Sequence, residues 1–127
     1  MRHQTKKHTL GKAPDQRKAL LRSLATELFT HGEIKTTMAR AKALQPYAEN
    51  VIKKKKKGDL NSRRLAGRYI FDKEIGQLID TATGELFDAP QEGKKLAKQT
   101  VLRKLFSIIG VKYSSRQGGY TRIYRLP

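Results

Sequence analysis

Apolar residues recur three and four positions apart over several stretches of the chain. Leu20, Leu21, Leu24, Ala25, Leu28 and Phe29 form the first such ladder, which predicts an amphipathic helix. Ala13-Pro14-Asp15 supplies its start, because proline is tolerated at the first helical position and an aspartate suits the positive end of the dipole. His31-Gly32 supplies its stop. Lys18 and Arg22 fall opposite Leu20, so one face is expected to pack and the other to stay cationic. A second helix, capped by Thr37, is predicted from about Met38 through Ala41, Leu44, Ala48, Val51 and Ile52. Pro46 lacks a backbone donor and predicts a kink or restart within it. The lysine run 53–57 closes that helix at its negative end before Gly58. A third helix is expected from Asp59 or Leu60 to about Tyr69, carrying Arg63, Arg64 and Arg68 beside Leu65 and Ala66. A fourth is read over about 94–109, where Ala97, Val101 and Leu105 make one ladder and Leu102, Phe106 and Ile109 another, with Gly110 as the stop.

Three stretches carry strand signals instead. Residues 33–37 are short, β-branched and bounded by Gly32. Residues 77–79 and 85–87 read either as a hairpin about Ala82-Thr83-Gly84 or as part of a surface excursion over about 72–93. At the end, Gly118-Gly119 feeds an expected strand over 120–126, where Thr121, Ile123 and Arg125 alternate with Tyr120, Arg122, Tyr124 and Leu126. Residues 1–12 differ from the rest. They hold Arg2, Lys6, Lys7 and Lys12 with His3 and His8, and almost nothing apolar. They predict an extended basic arm that is disordered alone and ordered by RNA. No repeat and no interdomain linker is visible, so 1–12 reads as an arm and 13–127 as one domain with an insertion at about 72–93.

Composition sharpens this picture. Twenty-eight Lys and Arg face 11 Asp and Glu, a formal charge of +17, and mean hydropathy is −0.68. Such a chain repels itself unless an anionic partner neutralises it, which points to nucleic acid or an anionic membrane surface. No apolar run approaches the length of a membrane span, so no membrane insertion is expected. With no cysteine, disulfides, thiolate metal sites and cysteine nucleophiles are excluded. His3, His8 and His31 lack nearby carboxylates at ligand spacing, so no metal site is expected. Glycine-rich nucleotide loops do not occur, and no histidine lies near Ser114-Ser115 to activate a serine. The reading is of a protein that is not an enzyme, with no cofactor and no small-molecule substrate.

Binding chemistry is better supplied. Lysine and arginine neutralise phosphates, arginine through a bidentate fork. Within 115–122, Arg116 and Arg122 flank Gly118 and Gly119, whose lack of Cβ permits close main-chain approach. Tyr120 reads there as either a ring offered to a base or a sheet residue packed on a helix.

These residues resemble a known family. Met1-Arg2-His3, the stretch 15–28, His31 to Leu44, Gly58 to Ala66, Lys104-Leu105-Phe106 and the string Arg116-Gln117-Gly118-Gly119-Tyr120-Thr121-Arg122-Ile123 look like the L-seventeen family of bacterial-type large-subunit ribosomal proteins. The blocks span most of the chain in the family's order. Residues 72–99 are longer than in many members, and the family usually continues past the position of Pro127 into a final apolar strand. The resemblance implies an α+β fold: a small mixed sheet covered by helices on one face, with an extended basic N-terminal arm reaching into RNA. It implies a structural constituent of the large ribosomal subunit, near the exit tunnel on the solvent side. Large-subunit rRNA and neighbouring ribosomal proteins, L thirty-two among them, are the implied partners. The implied location is the ribosome, with a bacterial cytoplasm ahead of an organelle. The expected rRNA-binding set is Arg2, His3, Lys6, Lys7, His8, Lys12, Arg17, Lys18, Arg22, Lys35, Thr36, Thr37, Arg40, Arg63, Arg64, Arg68, Arg116, Gly118, Gly119, Tyr120 and Arg122. Charge alone also suits a free nucleic-acid-binding regulator, and, far more weakly, an RNA-processing enzyme.

Overall fold

The computed structural model describes residues 8–55, 59–80, 83, 85–90, 92–93 and 96–127. Arg2, His3, Lys6 and Lys7, and with them most of the expected arm, lie outside the described residues.

Helix α1, Pro14–His31, begins with proline in its first turn and ends at Gly32, whose φ of 82° lets its N–H return to the Leu28 carbonyl at 2.8 Å. Helix α2, Met38–Lys55, starts where the Thr37 hydroxyl accepts the Arg40 N–H at 3.3 Å. It runs through Pro46 without a break. Pro46 and Lys42 are both exposed, so water can satisfy the Lys42 carbonyl that proline leaves without a donor. Between these helices, residues 33–37 do not form the expected strand and pair with none among the described residues. Helix α3, Leu60–Ala66, is capped by the Asp59 carboxylate, which accepts the Ser62 N–H at 2.7 Å. It stops short of Tyr69 because the chain tightens there: Arg68 and Tyr69 donate to the carbonyls of Leu65 and Ala66.

The class is α+β, but the sheet is antiparallel in both pairings rather than mixed. Strands β1 (Glu74–Asp80), β2 (Leu86–Phe87) and β3 (Leu96–Thr100) lie in the order β2-β1-β3. The expected hairpin is present, with Leu78 opposite Phe87 and Ile79 opposite Leu86. Between Glu74 and Leu78 the register with β3 is irregular, and Gly76 sits there at φ 88°.

Two expectations near the C-terminus need correction. Residues 96–100 are strand, not the start of a helix; Thr100 then caps helix α4, Val101–Lys104, its hydroxyl accepting the Arg103 N–H at 3.3 Å. The ladder Ala97, Val101, Leu105 thus crosses a strand-to-helix junction. Gly110 does not stop the helix. A π-helical turn, Leu105–Ile109, closes with the Gly110 N–H on the Leu105 carbonyl, and helix α5, Gly110–Lys112, continues. The extra residue in that turn moves the buried stripe from a step of four (Val101 to Leu105) to a step of five, which lands on Gly110 rather than Ile109.

Residues 120–126 form no strand. The Thr121 backbone and hydroxyl are held by side chains of α2: its N–H and Oγ1 reach Glu49 Oε1 at 3.4 and 3.1 Å, and its carbonyl accepts Gln45 Nε2 at 3.3 Å. Burial here does not alternate beyond Tyr124: Arg125 and Leu126 are both exposed.

The core is interhelical. Ala25, Phe29, Leu44, Ala48, Val51, Ile52, Ala66, Ile70, Val101, Leu105 and Tyr120 form it, and the sheet reaches it through the partly buried Ile75.

Candidate nucleic-acid interface

Two basic clefts are formed near α3 and the turn that follows it. The first, about 460 Å³, separates α3 from the start of α4 and is lined by Arg63, Arg64 and Arg103 with Asp72, Thr100 and Leu102. Asp72 is not idle there, since its carboxylate accepts the Leu102 N–H at 3.2 Å and caps α4 together with Thr100. The Arg63 guanidinium lies 5.3 Å from the centre of the Phe106 ring, which holds one fork of the cleft in place.

The second cleft, about 480 Å³, lies between α1, α2 and the turn that follows α3, and is lined by Lys18, Arg22, Tyr47, Arg68, Tyr69 and Phe71 with Ala19. Tyr47 donates its hydroxyl to the Tyr69 carbonyl at 2.6 Å, and the two rings meet edge to face at 5.6 Å. Burial pushes the Tyr47 phenol up to about 12, keeping that donor protonated through neutral pH.

Lys18, Arg63, Arg64 and Arg68 are exposed, and Arg103 is half-buried. Among the described residues none of the five pairs with a carboxylate, whereas Glu27 is engaged by Lys73 and His31, and Glu74 by Lys98. Lys73 and His31 accordingly hold the Glu27 carboxyl below its usual range.

Not every expected site residue offers a free polar group or ring at this surface. Arg22 is drawn inward: its Nη2 donates to the carbonyls of Gly67 at 2.8 Å and Ile70 at 3.3 Å, and its guanidinium stands 4.3 Å from the Phe71 ring centre. It ties α1 to the end of α3 instead of facing solvent. Tyr120 is only 7% exposed and belongs to the core. Its hydroxyl donates to the Arg116 carbonyl at 2.8 Å and its ring meets Tyr113 edge to face, so it packs in the core, though not as the sheet residue expected. Thr37 is occupied as a helix cap.

The other positions are separate from the clefts. His8 and Lys12 are exposed ahead of α1, and Arg17 is half-buried in its first turns. Lys35 and Thr36 are exposed between α1 and α2, and Arg40 is half-buried at the start of α2. Arg116, Gly118, Gly119 and Arg122 lie on the loop beyond α5, where Arg122 donates to the Tyr124 hydroxyl at 3.2 Å. Arg103 and Phe71 were missed by the sequence reading. Arg103 falls in the middle of the helix predicted over about 94–109, and only the cap at Thr100 reveals it as a first-turn residue. Phe71 closes an apolar triplet in which nothing local says which ring faces out.

These features define a small, strongly basic α+β protein in which cations without a carboxylate partner among the described residues line two clefts. The family model for ribosomal protein L17 matches residues 20–127. The large ribosomal subunit protein bL17 of Lactiplantibacillus plantarum is 42% identical over 116 residues, 91% of this chain and 82% of the relative. That of Oenococcus oeni is 43% identical over 117 residues, 92% and 83%. That of Staphylococcus carnosus is 44% identical over 116 residues, 91% and 82%. The chain belongs to the ribosomal protein L17 family. It is a structural protein of the ribosome and not an enzyme.

Proposed function

We propose that this chain is a structural constituent of the large ribosomal subunit that holds large-subunit rRNA through phosphate and shape contacts and so supports translation. The observation that carries this reading is the set of cations lining the two clefts, Lys18, Arg63, Arg64, Arg68 and Arg103, none of them paired with a carboxylate among the described residues. Left unneutralised they repel one another; a phosphate backbone relieves that and releases counterions. The arm residues Arg2, His3, Lys6, Lys7, His8 and Lys12, and the loop residues Arg116 and Arg122, extend the same chemistry to both ends. Residues 72–93 hold six of the chain's 11 acids and only one of its 28 Lys and Arg. That polarity turns the hairpin away from the phosphates, toward solvent or neighbouring ribosomal proteins, of which one of the L thirty-two kind is proposed. Residues 13–127 act as one domain, in a bacterial cytoplasm ahead of an organelle.

If six to eight side chains meet phosphates, binding to a large-subunit rRNA fragment falls with salt at a log–log slope of roughly −4 to −7. Arg64→Gln or Arg68→Gln shallows that slope by less than about one. A slope near zero for the unaltered protein overturns the reading.

A further inference from the structure

We propose that the cleft between α1, α2 and the turn after α3 receives an unpaired nucleotide of RNA, with Phe71 as the platform on which its base stacks. This rests on the RNA-binding reading and adds to it a ligand form and a residue.

Phe71 is a large apolar side chain left 41% exposed at the cleft. It is nevertheless held firmly. Its N–H donates to the buried Thr26 hydroxyl at 2.8 Å, and that hydroxyl donates onward to the Arg22 carbonyl at 2.8 Å. Ile70, immediately before it, is fully buried. Arg22 covers one face of the ring, so a base laid on the exposed side completes a stack of guanidinium, phenyl and nucleobase. A ring already fixed loses little freedom on binding.

The surroundings fit the rest of a nucleotide. Tyr47 and Tyr69 supply aromatic wall, while the Tyr47 hydroxyl is taken up by a backbone carbonyl. Lys18 and Arg68 stand exposed at the rim and make no ion pair among the described residues, in position for the flanking phosphates. The volume of about 480 Å³ lies within the roughly 300–1,000 Å³ range of small-ligand sites. A duplex keeps its base faces stacked and cannot present one here, whereas a bulged or single-stranded nucleotide can. The cleft between α3 and α4 makes the contrast. It has three arginines but also Asp72, and no aromatic ring among the residues that line it, which suits a phosphate and not a base.

The chain contains no tryptophan, so Phe71→Trp places a single indole reporter in the cleft. Its emission is expected to be quenched by oligoadenylate and little changed by a blunt RNA duplex of equal strand length. Phe71→Leu, folded by circular dichroism, is expected to bind oligoadenylate about tenfold more weakly with duplex affinity unchanged. Binding of oligoadenylate without quenching, or equal loss toward both RNAs in Phe71→Leu, overturns the stacking platform and leaves the phosphate-binding reading standing. Binding to neither RNA at low salt overturns both. An indole signal that changes only in assembled subunits, with no response to either RNA, assigns the cleft to a protein neighbour and likewise overturns the proposal.

Discussion

Arg22→Ala is expected to lower the stability of the free protein by about 2–4 kcal/mol, although the position looks like one more surface cation. Its guanidinium serves two carbonyls at the end of α3, and hydrogen bonds from a charged donor contribute roughly 1.5–3 kcal/mol each before solvent recovers part of the loss. Removing it also bares the inner face of Phe71, a contact worth about 1 kcal/mol. Lysine is a poor substitute, because a single ammonium cannot span two carbonyls and cover a ring with one planar group. Arg64→Ala, which removes an exposed cation with no ion pair among the described residues, should change stability by less than about 0.5 kcal/mol. Urea unfolding of the two variants separates the roles. An unchanged midpoint for Arg22→Ala would show that the turn at 67–71 holds without it.

Gly119→Val is the second large effect, expected at about 2 kcal/mol or more. Gly119 has φ 62°, and a Cβ placed there meets nothing within 4 Å, so the obstacle is the backbone conformation and not a neighbour. Left-handed geometry costs an L-residue roughly 1–2 kcal/mol and a β-branched one more. The turn also delivers Tyr120 into the core and Thr121 onto Glu49, so relaxing it pulls on both. The series Gly119→Asn, Gly119→Ala and Gly119→Val should therefore lose stability in that order, since asparagine tolerates this region best. Equal urea midpoints for valine and glycine would mean the loop folds as well in another conformation.

The elements legible in the sequence are those whose signals are local. The α1 ladder and its Gly32 stop, the Thr37 cap, the start of α3 at Asp59 or Leu60 and the 77–79/85–87 hairpin all rest on contacts within a few residues. Misreadings arose where a periodic pattern outran the element that produced it. Ala97, Val101 and Leu105 keep helical spacing although Ala97 lies on a strand, and of the three only Val101 and Leu105 belong to the core. Tyr120 to Leu126 alternates as a strand would, but the backbone groups of Thr121 go to Gln45 and Glu49 of α2 instead of a neighbouring strand. Arg22 illustrates the limit for the site. Opposite Leu20 on an isolated helix it would face water, and only the return of residues 67–71 across α1 turns it into an internal clamp. Lys18 escapes that cover and stays exposed.

The central claim, that this fold serves as a fixed part of the large ribosomal subunit, meets its most direct test in the fractionation of cells carrying a tagged copy of the chain. Co-sedimentation of the tagged protein with large subunits after a high-salt wash is the predicted result. Its recovery in the free soluble fraction or with the nucleoid, under conditions where large subunits remain intact, would contradict the account.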